Sequence, residues 1–252
     1  MATLRERVLD GETTFGSWLS MASPVAAEIA GQAGFDWLVI DAEHGMSADG
    51  DILPQLYAIG NTPATALVRI QSLDRLRVSR ALDIGAQGLV IPRVDGAADV
   101  AQALGWMRFP PAGQRGVALG VRGQGFGRVP HAEVAVLNDV VLGVFQVENA
   151  SAVADADAIA AQPGADVLFV GPADLSHALG VPGQFDAPIY LAAIDEVIAA
   201  CQAHGKAAGI LLYDVAVIEP HLDRGFTFVG LGSDGGFVMG GAKTMLAAAG
   251  RA

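Results

Sequence analysis

Gln146 and Glu148 close the otherwise apolar run VLGVFQVEN (141–149). In a strand, residues two apart face the same way, so the two share a face with Val147 opposite. Burying an unpaired carboxylate is costly, so Glu148 needs a partner, a metal or a chemical task. Asp174 stands at the top of the next apolar run, DVLFVGPAD (166–174). Two carboxylates on adjacent strand ends, completed by waters, suit a hard divalent cation such as Mg²⁺, Mn²⁺ or Co²⁺. The same residues equally permit a hydrogen-bonded glutamate and an aspartate capping the helical turn LSHALG.

Other rim candidates follow. Arg69 ends TALVRI (65–70) and needs an anionic partner, for which Asp41 and Asp83 are available. A guanidinium there could also clamp a carboxylate or an enolate oxygen. His44, in DAEHG, is placed to move protons, although a lone loop histidine is more often only hydrogen-bonded to backbone. His177 is expected in solvent, and His131, His204 and His221 are expected to be structural. VGPADLS (170–176) offers backbone N–H groups at a helix start, with Pro172 tolerated in the first turn. GQGFG (123–127) follows no strand and opens no helix, so it is no dinucleotide fingerprint. The only lysines are Lys206, at a strand start, and Lys243, in the last helix. Neither reaches a catalytic rim for Schiff-base chemistry, so a carbonyl substrate would have to be polarised by a metal.

These residues need a scaffold that gathers strand ends. Short apolar runs at 14–20, 37–43, 65–70, 88–94, 141–148, 166–172, 206–212 and 226–234 alternate with Ala- and Leu-rich helical patterns. Near-continuous apolar strands mean a parallel sheet covered by helices. Eight such units predict a (β/α)8 TIM barrel in one domain, 1–252, with a doubly wound open sheet as the competing α/β fold. In a barrel the site gathers at the C-terminal strand ends. The long glycine-rich segment 109–131 is expected to be a mobile lid there, offering Arg115, Arg122 and Arg128 to the polar tail of a substrate.

Composition narrows the partners. Of 252 residues, 52% are hydrophobic and 17% charged, enough for a large core and too apolar for extensive disorder. The net charge of −12 argues against nucleic acid and against an anionic membrane surface. The single cysteine, Cys201, excludes an intrachain disulfide and a CxxC motif, and is read as a buried helix residue. A charged N-terminus without an apolar h-region, and no apolar run of bilayer length, make the cytoplasm the default setting.

FDWLVIDAEHG, ALVRI, LDIGAQGLVIPRV, RFPPAGQRGV, QVEN and DVLFVGPADLSHALG, in this order, resemble the metal-dependent (class II) pyruvate aldolases of the HpcH/HpaI family. These include the 4-hydroxy-2-oxoheptanedioate and 2-dehydro-3-deoxyglucarate aldolases. The resemblance covers most of the chain. It implies a (β/α)8 barrel whose last helix is swapped between subunits, commonly in a hexamer of three dimers. It further implies reversible cleavage of 4-hydroxy-2-oxo acids to an aldehyde and pyruvate, or a related 2-oxo acid such as hydroxypyruvate, through a metal-stabilised enolate, with no organic cofactor. Matched by position, the metal ligands fall on Glu148 and Asp174, the pyruvate-binding arginine on Arg69 and the essential histidine on His44. Asp41 matches the acid beside that histidine, Gln146 a polar substrate contact, and Asp83 an outer acid steering Arg69. Gly171, Pro172 and Ala173 match the backbone that receives the pyruvate carboxylate; Trp18 and Leu211 or Leu212 match the pocket wall. The segment ALGVRGQGFGRVP departs from the family pattern, which leaves the aldehyde outside what the resemblance implies. Rival readings are a CoA-ester lyase of the citramalyl- or malyl-CoA type and a non-enzymatic binding barrel.

Overall fold

The computed structural model describes residues 2–251. Eight parallel strands close into a barrel in sequence order. They are β1 (Thr14–Leu19), β2 (Trp37–Asp41), β3 (Thr65–Arg69), β4 (Gly88–Ile91), β5 (Leu142–Val147), β6 (Val167–Val170), β7 (Ala207–Leu212) and β8 (Phe228–Ser233). A short leading helix, α1 (Leu4–Leu9), precedes them. Between strands lie α2 (Pro24–Gln32), α3 (Asp49–Ile59), α4 (Arg75–Asp83) and α5 (Ala97–Met107), then α6 (Ala150–Ala154) with α7 (Ala156–Ala160). Next come α8 (Pro172–Ala178) and α9 (Pro188–Ala203), α10 (Ile218–Arg224) and the final α11 (Asp234–Ala248). The expected eight-unit barrel is thus the observed one. No described helix is long and apolar enough to cross a membrane.

Alternation along each strand divides the core into two layers. Val39, Leu67, Val90, Leu142, Val144, Val167, Phe169 and Phe228 fill the barrel interior with Trp18 and Trp37. Phe145, Val147, Leu168, Val170 and Ile210 face the helices. Trp37 is fully buried and stacks on Phe228 with ring centroids 4.1 Å apart. Gly16, its register neighbour on β1, leaves the room: a Cβ there would collide with the Trp37 ring. Helix α1 plugs the floor, sending Leu4 and Val8 into the interior cluster. Arg5 fastens the plug through two hydrogen bonds to Asp166, at 2.8 and 3.0 Å.

Three features bear on the sequence expectations. Segment 109–131 does not cover the rim. It follows α5, and each barrel helix returns toward the strand starts, so a connection from α5 to β5 belongs on the floor. Its anchors lie there: Arg115 bonds Asp83 at the end of α4, and Arg122 donates to the carbonyls of Ile84 and Leu56. Gly123 packs against the Leu82 carbonyl so closely that no Cβ would fit. Helix α11 leaves Phe237, Val238, Met239, Met245 and Leu246 exposed. Cys201 is buried, its Sγ 3.4 Å from the Ala207 carbonyl, with burial raising its thiol pKa to about 12.

Trp37→Ala deletes the largest fully buried side chain of the interior. It is expected to cost about 3–5 kcal/mol in urea-induced unfolding, measured with the slope unchanged.

Candidate active site

Asp41 and Arg69 are the last residues of β2 and β3 and face each other in register. The guanidinium grips the carboxylate with both prongs, Nε to Oδ1 at 2.9 Å and Nη2 to Oδ2 at 2.7 Å. Burial works against the charged form of Asp41. The Arg69 hydrogen bonds and charge, with backbone amides of His44 and Glu43, override it and hold the pKa below the ordinary carboxylate value. Arg69 has contacts left over: Nη1 lies 3.1 Å from Glu43 Oε2 and 3.5 Å from Gln146 Oε1. Gln146 Nε2 in turn donates to Glu148 Oε2 at 3.1 Å. Glu148 Oε1 accepts from the backbone N–H of Arg93 at 3.0 Å. Arg93 holds a left-handed backbone, φ 51°, a conformation that costs of order 1–3 kcal/mol for such a residue. A continuous polar chain therefore runs across the rim from Asp41 to the top of β4.

Glu148 is 5% exposed and its pKa is raised to about 7, first by burial, then by the charges of Asp174 and Glu43. Burial also raises Glu43. Gly171 makes the crowding possible, since a Cβ there would stand 2.5 Å from Glu148 Oε2. The rim thus gathers Asp41, Glu43, Glu148 and Asp174 around one guanidinium that Asp41 already holds. Such a set fits a hard divalent cation. Among the described residues no three His, Cys, Asp or Glu side chains form a cage. Glu148 and Asp174 would be the protein's contribution, with substrate oxygens and water as the rest, a pattern usual for Mg²⁺.

A cavity of about 620 Å³ opens over this chain. Trp18, Phe169, Leu211 and Leu212 wall it, with Gly171, Pro172, Ala173 and Asp174 along one side. Leu211 packs with the interior cluster, whereas Leu212 belongs to the layer facing the helices. The Trp18 indole N–H is buried without a partner. Helix α8 begins at Pro172, so Asp174 lies within its first turn and the N-cap is Gly171.

The structure separates the expected site residues. Asp41, His44, Arg69, Gln146 and Asp174 all line the cavity, and Glu148 joins them through Gln146. His44 stands at the mouth, its side chain 65% exposed, with Nε2 3.8 Å from Glu43. Asp41 bonds the backbone N–H of His44, not its ring. Asp83 is a correction. It ends α4 on the floor and bonds Arg115 at 2.9 Å, so within this chain it steers that arginine and not Arg69. Sequence reasoning gave Glu43 no role, although its place between Asp41 and His44 was the available signal. It also missed Phe185, Tyr213 and His221, which line the mouth from loops and a helix whose placement only the fold reveals.

Residues 14–240 match the family described as HpcH/HpaI aldolase/citrate lyase. The chain belongs to this family. A hydroxypyruvate/pyruvate aldolase of Paraburkholderia phytofirmans is 39% identical over 237 residues, covering 92% of this chain and 91% of that protein. A 5-keto-4-deoxy-D-glucarate aldolase of Klebsiella pneumoniae is 39% identical over 223 residues, covering 88% and 87%. A solved structure of an HpcH/HpaI aldolase/citrate lyase family protein from Burkholderia cenocepacia superposes with a TM-score of 0.93 at 36% identity, covering 98% of both chains. The protein is an enzyme of the aldolase type, a carbon–carbon lyase.

The raised Glu148 pKa has a consequence for stability. The fold retains this proton after the unfolded chain has lost it, so the group's contribution declines as pH rises from about 4.5 through about 7. Glu148→Gln cannot ionise and escapes that decline. In chelated protein, the unfolding free energy of the variant relative to wild type should rise by roughly 1–3 kcal/mol from about pH 4.5 to about pH 8. A difference that stays flat with pH would show that this carboxylate is not held out of its ionised form.

Proposed function

We propose that the enzyme cleaves 4-hydroxy-2-oxo acids reversibly to an aldehyde and pyruvate, or a related 2-oxo acid such as hydroxypyruvate, as a class II, metal-dependent aldolase. The observation that carries the reading is the buried chain Asp41–Arg69–Gln146–Glu148 beneath a mostly apolar cavity, with Asp174 beside Glu148. Names borne by relatives of similar length agree with it. Mg²⁺, Mn²⁺ or Co²⁺ bound at Glu148 and Asp174 would polarise the keto group and neutralise the carboxylate of the 2-oxo acid.

The remaining steps belong to the chain's own groups. Arg69 is held rigid by Asp41 and presents Nη1 to the negative oxygen that develops as the enolate forms. One preorganised donor of this kind is worth roughly 3–4 kcal/mol. The first amides of α8, at Ala173 and Asp174, have no acceptor within their own helix and suit the substrate carboxylate. Trp18 and Leu211 wall the pocket, and Gln146 holds Glu148 in place. His44 at the mouth accepts the proton of the 4-hydroxyl. The C3–C4 bond then breaks, its electron pair passing into the enolate as the aldehyde leaves. A proton returned to C3 gives the 2-oxo acid.

A CoA-ester lyase would need cations for the CoA phosphates. No lysine, and no arginine besides the engaged Arg69, lines the mouth among the described residues. The proposed setting is the cytoplasm. The proposed assembly is a hexamer of three dimers exchanging α11, a reading supported by the apolar residues this helix leaves exposed. Light scattering should return about six times the 25.8 kDa chain mass, and a monomer would refute it.

The decisive test follows the enolate. With metal and no aldehyde, the wild type should exchange the methyl protons of pyruvate with deuterated solvent, and chelator should stop both exchange and cleavage. Arg69→Ala should lower both by about two to three orders of magnitude. Arg69→Lys should restore only part, because a point charge does not reproduce the planar fork. A wild type that exchanges with no metal, or not at all, would sink the reading. Equal exchange by folded Arg69→Ala would leave Arg69 as a structural ion-pair member.

A further inference from the structure

The wall of the catalytic cavity across from Arg69 holds two polar atoms with no partner among the described residues. Arg69 ends β3, and β7, four strands round the closed barrel, ends opposite it. Tyr190, in the first turn of α9, and His221, in α10, flank the end of β7 and line the cavity with Leu212 and Val217.

Tyr190 is 1% exposed, and Phe185 packs edge-on against its ring with centroids 5.5 Å apart. A buried tyrosine hydroxyl ordinarily finds a hydrogen-bond partner. This one finds none among the described residues: burial alone acts on it, raising its pKa to about 12. It is not sealed off as the Trp18 N–H is, so it opens on the cavity. His221 is oriented by its other nitrogen, whose Nδ1–H donates to the Val217 carbonyl at 2.7 Å. A carbonyl only accepts, so Nδ1 carries the proton and Nε2 of the neutral ring is left as an acceptor. The polar groups nearby are engaged. Ser20 donates to Asp234, Ser233 caps α11 and Asp214 caps the turn 215–217.

We propose that Tyr190 and His221 select the aldehyde half of the substrate by binding a hydroxyl on it, so that the enzyme favours hydroxyaldehydes over their deoxy analogues. The inference rests on the aldolase reading above. There the oxygens of the 2-oxo acid are drawn to Arg69, Glu148 and Asp174, and C3 lies against Trp18 and Leu211. At C4 the hydroxyl turns to His44 beyond β2, and the rest of the aldehyde part runs over the end of β7. An alcohol placed there is donor and acceptor at once, matching Nε2 and the phenol O–H. A carboxylate offers acceptors only and would set its charge against the Nε2 lone pair. A deoxy aldehyde would leave both groups unpaired in an apolar wall, the condition under which a site rejects the analogue that lacks the hydroxyl.

The test condenses pyruvate on the metal-loaded enzyme with D- or L-glyceraldehyde and with propanal, which has the same carbon chain and no hydroxyl. The readout is the ratio of kcat/KM for the better glyceraldehyde to that for propanal. Tyr190→Phe removes one oxygen atom and should lower this ratio about three- to tenfold, the scale of one neutral hydrogen bond. His221→Phe should lower the same ratio. Because the Tyr190 hydroxyl bonds nothing in the chain, Tyr190→Phe should melt no lower than the wild type. An unchanged ratio in Tyr190→Phe would overturn the inference, whether both rates fall together or neither does. A lower melting temperature would also overturn it, by showing the hydroxyl to be a structural group. Deuterium exchange into pyruvate by the wild type, without aldehyde, separates the two failures. Exchange with an unchanged ratio strikes this inference and leaves the aldolase reading standing, whereas no exchange strikes both.

Discussion

The bidentate pair between Arg69 and Asp41 is the contact on which the rim depends. Taking a guanidinium out of water costs several kcal/mol unless a well-placed anion meets it. Register supplies that anion, because β2 and β3 end on the same level and their final residues stand side by side. With two prongs committed to Asp41, the third nitrogen is fixed in direction. It reaches Glu43 and Gln146 without being saturated by either, at 3.1 and 3.5 Å. A rigid cation with one loosely engaged nitrogen is what a developing oxyanion requires.

The rest of the rim is arranged against its own ease. Glu148 is buried beside other carboxylates, Arg93 adopts a left-handed backbone to reach it, and Gly171 gives up a side chain to make room. Each feature works against stability, and the tightly packed interior below, from Trp37 to Phe228, offsets them. Strain and charge crowding confined to one end of an otherwise regular barrel is the usual mark of a site kept for chemistry.

Much of this was legible in the sequence. Strand–helix alternation gave the barrel, and polar residues ending apolar runs gave Asp41, Arg69, Gln146, Glu148 and Asp174. The errors have one physical origin. Residues on strands declare which end of the barrel they occupy, while those on helices and connections do so only through chain direction. Asp83 ends, and segment 109–131 follows, a helix that descends from the rim, so both lie on the floor. Asp83 there meets Arg115. Length and glycine content marked the segment as unusual but carried no information about its side. Glu43 was hidden differently. It lies just past β2, where two-residue periodicity ceases, and the chain bends there to bring it to Arg69.

The formal charge of −12 conceals a division between the two ends. Asp41, Glu43, Glu148 and Asp174 crowd Arg69 at the mouth, which Asp214 also lines, whereas Arg5, Arg115, Arg122 and Arg128 line a cavity on the floor. For the 2-oxo acid proposed as substrate, the bare mouth is repulsive, because an anion would enter a region where carboxylates outnumber the one guanidinium. Raising Glu148 to about 7 removes part of one such charge near neutrality, which is too little to admit a second anion. A divalent cation held by Glu148 and Asp174, as proposed, would remove two, and would do so where the keto oxygen must be polarised. On this view the proposed metal requirement would be first an electrostatic condition for substrate entry and only then a catalytic one. The two roles separate in principle: a metal that fills the site but polarises poorly should preserve pyruvate binding while depressing turnover.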